Sequence, residues 1–186
     1  MFKEKSVIAS ELYKNIGSVV IPKEKLQDKV RFLGEQISHD FKNEDVVLIS
    51  NLKGSFRFLS DLSASLNIPT QVDFISFTSY HGGTESTGEM RIIKDLKMPI
   101  ENKNVIVVED IVDTGYTIDF ILKYFQDFRA PKSVKICTLL DKKEKRKIDV
   151  PVDYVGFVVP DLFLIGYGLD YKEYFRELNY IAEYNI

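Results

Sequence analysis

Two adjacent carboxylates, Glu109 and Asp110, end the apolar run Val105-Ile106-Val107-Val108 and lead into Asp113-Thr114-Gly115-Tyr116-Thr117. A buried strand that ends in an acid pair and turns through a hydroxyl-bearing loop toward a helix can hold a sugar phosphate. Acids accept hydrogen bonds from vicinal hydroxyls. Backbone N–H groups of the turn, aided by the helix dipole, suit the phosphate. Gly115 tolerates a left-handed backbone, and Thr114 and Thr117 add hydroxyl donors. The loop lacks the Gly-Lys-Ser/Thr ending of a P-loop and the Gly-x-Gly-x-x-Gly spacing of a dinucleotide fingerprint. Two plainer readings compete: a helix N-terminus capped by Asp113 or Thr114, and a solvated strand end. The acid pair weighs against the second, because adjacent carboxylates repel each other and gain nothing from a core. They make sense facing a diol or a ligand-borne cation.

The elements that must position this loop follow from periodicity. Leu26, Val30, Leu33 and Ile37 lie at helical spacing within residues 23–42. Val46 to Ser50 is a short apolar run of the kind buried on both faces of a parallel sheet. Lys53-Gly54-Ser55 breaks it, and Phe56 to Leu66 returns to helical spacing. Strands are predicted over Gln71–Tyr80, Val105–Val108, Val134–Leu140, Tyr154–Val159 and Phe163–Tyr167, with a helix over Ile118–Phe128. Gly82, Gly83 and Gly88 mark a mobile loop after Tyr80. Alternating strands and helices predict an α/β fold, a mostly parallel central sheet with helices on both faces. Ligands bind such sheets at the carboxyl ends of the strands, where the motif loops fall.

Composition limits the alternatives. A chain of 186 residues is read as one domain over 1–186. The net charge of −3 disfavours broad electrostatic binding to nucleic acid. Cys137, the single cysteine, fits a reducing compartment and a small core position. His39 and His81 lack partners at metal spacing, so zinc is not expected. No apolar run approaches the roughly 20 residues of a membrane span, and the charged start Met1-Phe2-Lys3-Glu4-Lys5 does not read as a signal peptide. A cytoplasmic protein without membrane partners is expected.

The run from Val107 to Thr117 resembles the phosphoribosyl diphosphate signature of the type I phosphoribosyltransferases. Leu52-Lys53-Gly54 resembles that family's pyrophosphate loop, and Ser79-Tyr80 with the segment to Glu89 its active-site flap. Val155-Gly156-Phe157, Pro160-Asp161, Phe163, Gly166-Tyr167, Leu169-Asp170-Tyr171 and Glu173-Tyr174-Phe175-Arg176 are similar to the C-terminal purine and metal segment of the hypoxanthine-guanine branch. The matches run in order from about Leu48 to Leu178, and the first forty or so residues carry no usable motif.

The resemblance implies a type I phosphoribosyltransferase-like fold with a small hood from the terminal segments, about 150–186 contributing the purine-binding part. It implies that Glu109 and Asp110 hold the ribose hydroxyls and that Asp113, Thr114, Gly115, Tyr116 and Thr117 hold the 5-phosphate. A carboxylate beside a phosphate is electrostatically unfavourable. In the family that aspartate faces purine N7 as general base or acid, which accounts for Asp113. Lys142 would meet the purine 6-oxo group, Phe163 would stack on the ring, and the Leu164 backbone would read its edge. Asp170, with Glu109 and Asp110, would hold magnesium. Lys53, Gly54 and Arg176 would receive pyrophosphate, Lys53 at a position where the family often has a non-proline cis peptide. Similar enzymes form dimers or tetramers.

Taken singly, each position has a plainer reading. Lys142 opens the charge run to Lys147, Phe163 sits in an apolar stretch, and Asp170 with Arg176 could be a surface ion pair. Tyr116 replaces the basic or amide side chain frequent in the family, and Ser55 stands where a second glycine is frequent. The implied activity is magnesium-dependent transfer of phosphoribosyl to hypoxanthine or guanine. A xanthine preference and a nucleic-acid-binding regulator that senses phosphoribosyl diphosphate are the alternatives. The acidic balance weighs against the regulator.

Overall fold

The computed structural model describes residues 11–79 and 90–186. Tyr80 and most of the flap segment therefore lie outside the described residues, and of Ser79 only the backbone is described. The described elements begin with β1 (Ile16–Ile21), α1 (Lys23–Asp40), β2 (Val46–Asn51), α2 (Phe56–Ser65) and β3 (Thr70–Ser79). They continue with β4 (Met90–Lys94), β5 (Asn104–Val112), α3 (Tyr116–Phe128), β6 (Ser133–Asp141) and β7 (Tyr154–Val158). Two short strands, β8 (Leu164–Ile165) and β9 (Ile181–Tyr184), come last.

The main sheet runs β4-β3-β2-β5-β6-β7. Its pairings from β3 to β7 are parallel, and β4 closes one edge antiparallel to β3. Strand side chains alternate between faces, and here both faces are covered. Val46, Leu48, Ile106 and Val108 point into one cluster with Leu26, Val30, Leu33 and Ile37 of α1 and Phe58, Leu59 and Leu62 of α2. Val47, Ile49, Val105 and Val107 point the other way, onto Ile118, Ile121 and Phe125 of α3. The apolar runs are continuous because alternate residues serve opposite cores. Cys137 is one such core residue, free and buried, and burial pushes its thiol pKa up.

A second, antiparallel sheet of order β1-β9-β8 forms the hood. It has its own small core of Ile165, Phe175, Ala182 and Tyr184, with Leu12 and Ile16 packed against it. The helices and strands predicted in the main sheet are present. The structure adds β1, β4 and β9, which periodicity did not reveal. The predicted strand Phe163–Tyr167 shrinks to β8, and the chain beyond turns through positive φ at Tyr167, Lys172, Glu173 and Phe175.

The largest correction concerns β5. It does not stop at Val108 but pairs onward with β6, Glu109 opposite Thr138 and Val112 opposite Asp141. The acid pair is therefore carried inside a strand, with the turn beginning only after it.

Candidate active site

Three loops meet because β2, β5 and β6 are parallel neighbours and deliver their carboxyl ends to one edge. Residues 52–55 follow β2, residues 113–117 follow β5, and Lys142 follows β6. The 113–117 turn is not held by a side-chain cap. The residue before α3 is Gly115, at φ 92°, and neither Asp113 nor Thr114 caps the helix. A Cβ at Gly115 would lie 2.5 Å from the Ile148 carbonyl oxygen, so both backbone angle and space require glycine. Asp119 N–H makes the first intrahelical bond, to Gly115 O at 3.0 Å. The N–H groups of Tyr116, Thr117 and Ile118 precede that bond and remain available to an anion. The Tyr116 side chain is exposed, which leaves its backbone as the contributing part.

The turn is braced from behind by a segment that sequence reading treated as a solvated charge run. Lys147 and Ile148 N–H groups donate to Thr114 O at 2.9 and 3.0 Å, and Arg146 Nε donates to Asp113 O at 3.1 Å. The Arg146 guanidinium also pairs with the buried Asp141 carboxylate. Asp141 and Arg146 were missed. The available signal was an aspartate ending an otherwise apolar strand a few residues before an arginine.

The turn and the acids line a cavity of about 280 Å³, with Asn51, Glu109, Asp110, Asp113, Thr114 and Thr117 among its walls. Glu109 is 3% exposed, and its Oε1 has no hydrogen-bond partner among the described residues. The Asp113 Oδ1 and Asn51 Oδ1 atoms are buried and equally unpartnered. Burial, then the neighbouring Asp110, pushes the Glu109 carboxyl well above its usual range, against a hydrogen bond from Asn51. Burial likewise pushes Asp110 up to about 6, opposed by the Ile111 N–H and Arg176 and reinforced by Asp170. Buried acceptors without donors are costly, so this cavity asks for a ligand rich in hydroxyls or positive charge.

Gly54 packs so tightly against the Asp110 carboxylate that any Cβ there would overlap it, and Gly168 is pressed in the same way onto Gly54 O. The Leu52–Lys53 peptide is cis. Lys53 Nζ reaches Glu173 at 2.9 Å, which links this loop to the hood. Ser55 is buried and bonds Ser50 Oγ at 2.6 Å. Arg176 pairs with Asp170 at 2.8 Å and donates to Gly168 O at 2.7 Å. The expected surface pair is thus present but sits in the hood seam, and the Arg176 Nε is buried and unpartnered among the described residues.

Lys142 is 7% exposed, so it is no solvated member of a charge run. Its amine donates to Leu162 O at 2.6 Å and faces Asp161 at 3.5 Å, one residue from Phe163. Phe163 is 41% exposed, edge-on to Tyr171, rather than a core aromatic. Leu164 is buried in β8. The ammonium is therefore docked on the carbonyl that precedes a half-exposed ring.

The three acids read as metal ligands do not close on an ion by themselves: the described residues contain no cluster of three or more His, Cys, Asp or Glu that could. Magnesium is commonly bound through one or two carboxylates together with substrate phosphates. The unpartnered Glu109 Oε1 and the adjoining Asp110 fit that mode.

A mostly parallel sheet with an acid pair and a glycine turn at the end of one strand, under an antiparallel hood, is an α/β fold of the type I phosphoribosyltransferase class. The sequence matches the phosphoribosyl transferase domain family over residues 22–172. It is 44% identical to the hypoxanthine-guanine phosphoribosyltransferase of Staphylococcus aureus, covering 92% of this chain and 95% of that one. A crystal structure of the Staphylococcus aureus hypoxanthine phosphoribosyltransferase superposes with a TM-score of 0.88 at 43% identity, covering 93% of this chain and 94% of that one. The Bacillus anthracis hypoxanthine-guanine phosphoribosyltransferase gives 0.86 at 45% identity, covering 92% and 99%. The chain belongs to the phosphoribosyltransferase family, in its hypoxanthine-guanine branch.

Proposed function

We propose that the protein transfers 5-phosphoribosyl from phosphoribosyl diphosphate to N9 of hypoxanthine or guanine, giving IMP or GMP and pyrophosphate in a magnesium-dependent reaction. The observation that carries this reading is the buried, unpartnered Asp113 Oδ1 beside a turn whose carbonyls at Asp113 and Thr114 are taken by the brace while its N–H groups stay open. A carboxylate whose buried oxygen keeps a free lone pair next to a phosphate seat has work there once a proton arrives. Purine N7–H supplies one.

The turn N–H groups and Thr117 take the 5-phosphate. Glu109 and Asp110 accept hydrogen bonds from the ribose hydroxyls, which gives the unpartnered Glu109 Oε1 a donor. As the bond to pyrophosphate breaks, the ribose carbon gains oxocarbenium character, and Asp110 and Glu109 lie where carboxylates favour positive charge. Arg176 and the Lys53–Gly54 loop meet the leaving pyrophosphate. Magnesium, held through Glu109 or Asp110 together with the substrate's phosphates, would supply charge neutralisation to that diphosphate. Phe163 holds the purine plane and Lys142 polarises the 6-oxo group, while Asp113 manages the N7 proton.

Asp113→Asn tests the acid-base role. General acid-base catalysis contributes roughly 10²–10⁴-fold, so kcat with hypoxanthine should fall by at least about 100-fold. Unchanged turnover would sink that role.

A further inference from the structure

We infer that Arg57 is a positioning residue for the pyrophosphate end of this site, acting through the hood segment that carries Arg176. The inference rests on the function proposed above. Arg57 lies in the first turn of α2, directly after the Lys53-Gly54-Ser55 loop. Its guanidinium reaches across to the hood and gathers successive backbone carbonyls. Nη1 donates to Glu177 O at 2.8 Å and Leu178 O at 2.7 Å, with Arg176 O at 3.3 Å. Nη2 donates to Asn179 Oδ1 at 2.7 Å, and the guanidinium carbon stands 5.1 Å over the Tyr167 ring.

Such convergence is specific to a planar fork. An ammonium could meet carbonyls around its one nitrogen, as Nη1 does here, but could not also reach the Asn179 amide and lie flat over the ring. The segment it holds has no regular strand between β8 and β9 and is tied by isolated bridges and turn bonds, with Tyr167 N–H on Leu178 O and Gly168 N–H on Arg176 O sharing carbonyls with Arg57. Arg176 leaves this segment to reach Asp170 and Gly168 O, and its charge is felt at Asp110. Gly168 in turn presses on Gly54 O, and Gly54 on Asp110. The clamp therefore joins α2, at the end of the Lys53-Gly54-Ser55 loop, to the carbonyls that flank Arg176. Its contacts are with residues 167 and 176–179, away from Phe163 and Lys142.

A second anchor between the same two parts provides the control. The Tyr167 hydroxyl donates to Asp61 of α2 without touching the 176–178 carbonyls. Tyr167→Phe removes that bond and keeps the ring under Arg57.

The test is steady-state kinetics of wild type, R57M, R57K and Y167F, with the thermal midpoint of each measured alongside. R57M should raise KM for phosphoribosyl diphosphate, and for pyrophosphate in reverse, by about 10-fold. KM for hypoxanthine should stay within about two-fold. R57K should recover part of the loss, and Y167F should lower the midpoint without moving the diphosphate KM. Should R57M fail to fold, R57K carries the same comparison. Unchanged diphosphate KM, or base and diphosphate KM rising together as the midpoint falls, would overturn the inference and leave Arg57 a fold anchor. A wild type inactive with every purine would instead refute the underlying function.

Discussion

Among single residues, the acids do different work because they stand in different surroundings. Asp110 is held at the junction of Gly54, Arg176 and Asp170, and its carboxyl is raised to about 6. A carboxyl whose folded pKa lies above its unfolded value of 3.8 binds protons more strongly when folded. This carboxyl's contribution therefore favours the unliganded fold at low pH and is lost as pH climbs from about 4 to about 6, with the cost complete above that window. Asp110→Asn removes that cost. Unfolding by urea should show it more stable than wild type by about 1–3 kcal/mol at pH 8, with the gain shrinking toward pH 4. The same variant should bind phosphoribosyl diphosphate worse. A stability gain independent of pH would contradict the assignment. Asp113 differs in kind: its unpartnered oxygen faces the cavity, and the kinetic loss expected of Asp113→Asn reports on chemistry rather than on folding.

Among the elements, β5 and the turn after it show what sequence can and cannot convey. The apolar run, the acid pair and Gly115 were legible because residue type and local spacing encode them. The extension of β5 through the acids was not, since it depends on Thr138, Leu140 and Asp141 pairing from β6. The brace at 146–148 was illegible for a similar reason: its backbone bonds to Thr114 cross more than thirty residues. β1 escaped notice because its register with β9 shifts twice, which breaks the period-2 pattern, and it lies partly exposed. β9 is too short for periodicity to register, and positive φ at Tyr167, Lys172, Glu173 and Phe175, which cuts the predicted Phe163–Tyr167 strand to β8, has no glycine to announce it. The buried Lys142 and the half-exposed Phe163 reversed what composition alone favours. Gly115→Ala probes the turn directly. The forbidden backbone angle and the clash with Ile148 O should cost about 1–3 kcal/mol. KM for phosphoribosyl diphosphate should rise at least about 10-fold, while hypoxanthine binding to the purine clamp changes little. Ordinary diphosphate affinity in Gly115→Ala would show that the turn does not seat the phosphate.

For the whole molecule, the parallel sheet brings the strand-end loops to one edge and the hood closes over them. That arrangement docks Lys142 on the segment before Phe163 and sets Gly54 against Asp110, with Lys53 joined to Glu173. No described helix is long and apolar enough to cross a membrane. The most direct measurement is pyrophosphate release by the full chain with phosphoribosyl diphosphate and magnesium, with hypoxanthine, guanine, xanthine and adenine offered in parallel. Hypoxanthine or guanine should give the fastest release, adenine should give at least about 100-fold less, and chelating magnesium should abolish release. Adenine turned over as well as hypoxanthine, or no release with any base, would contradict the account.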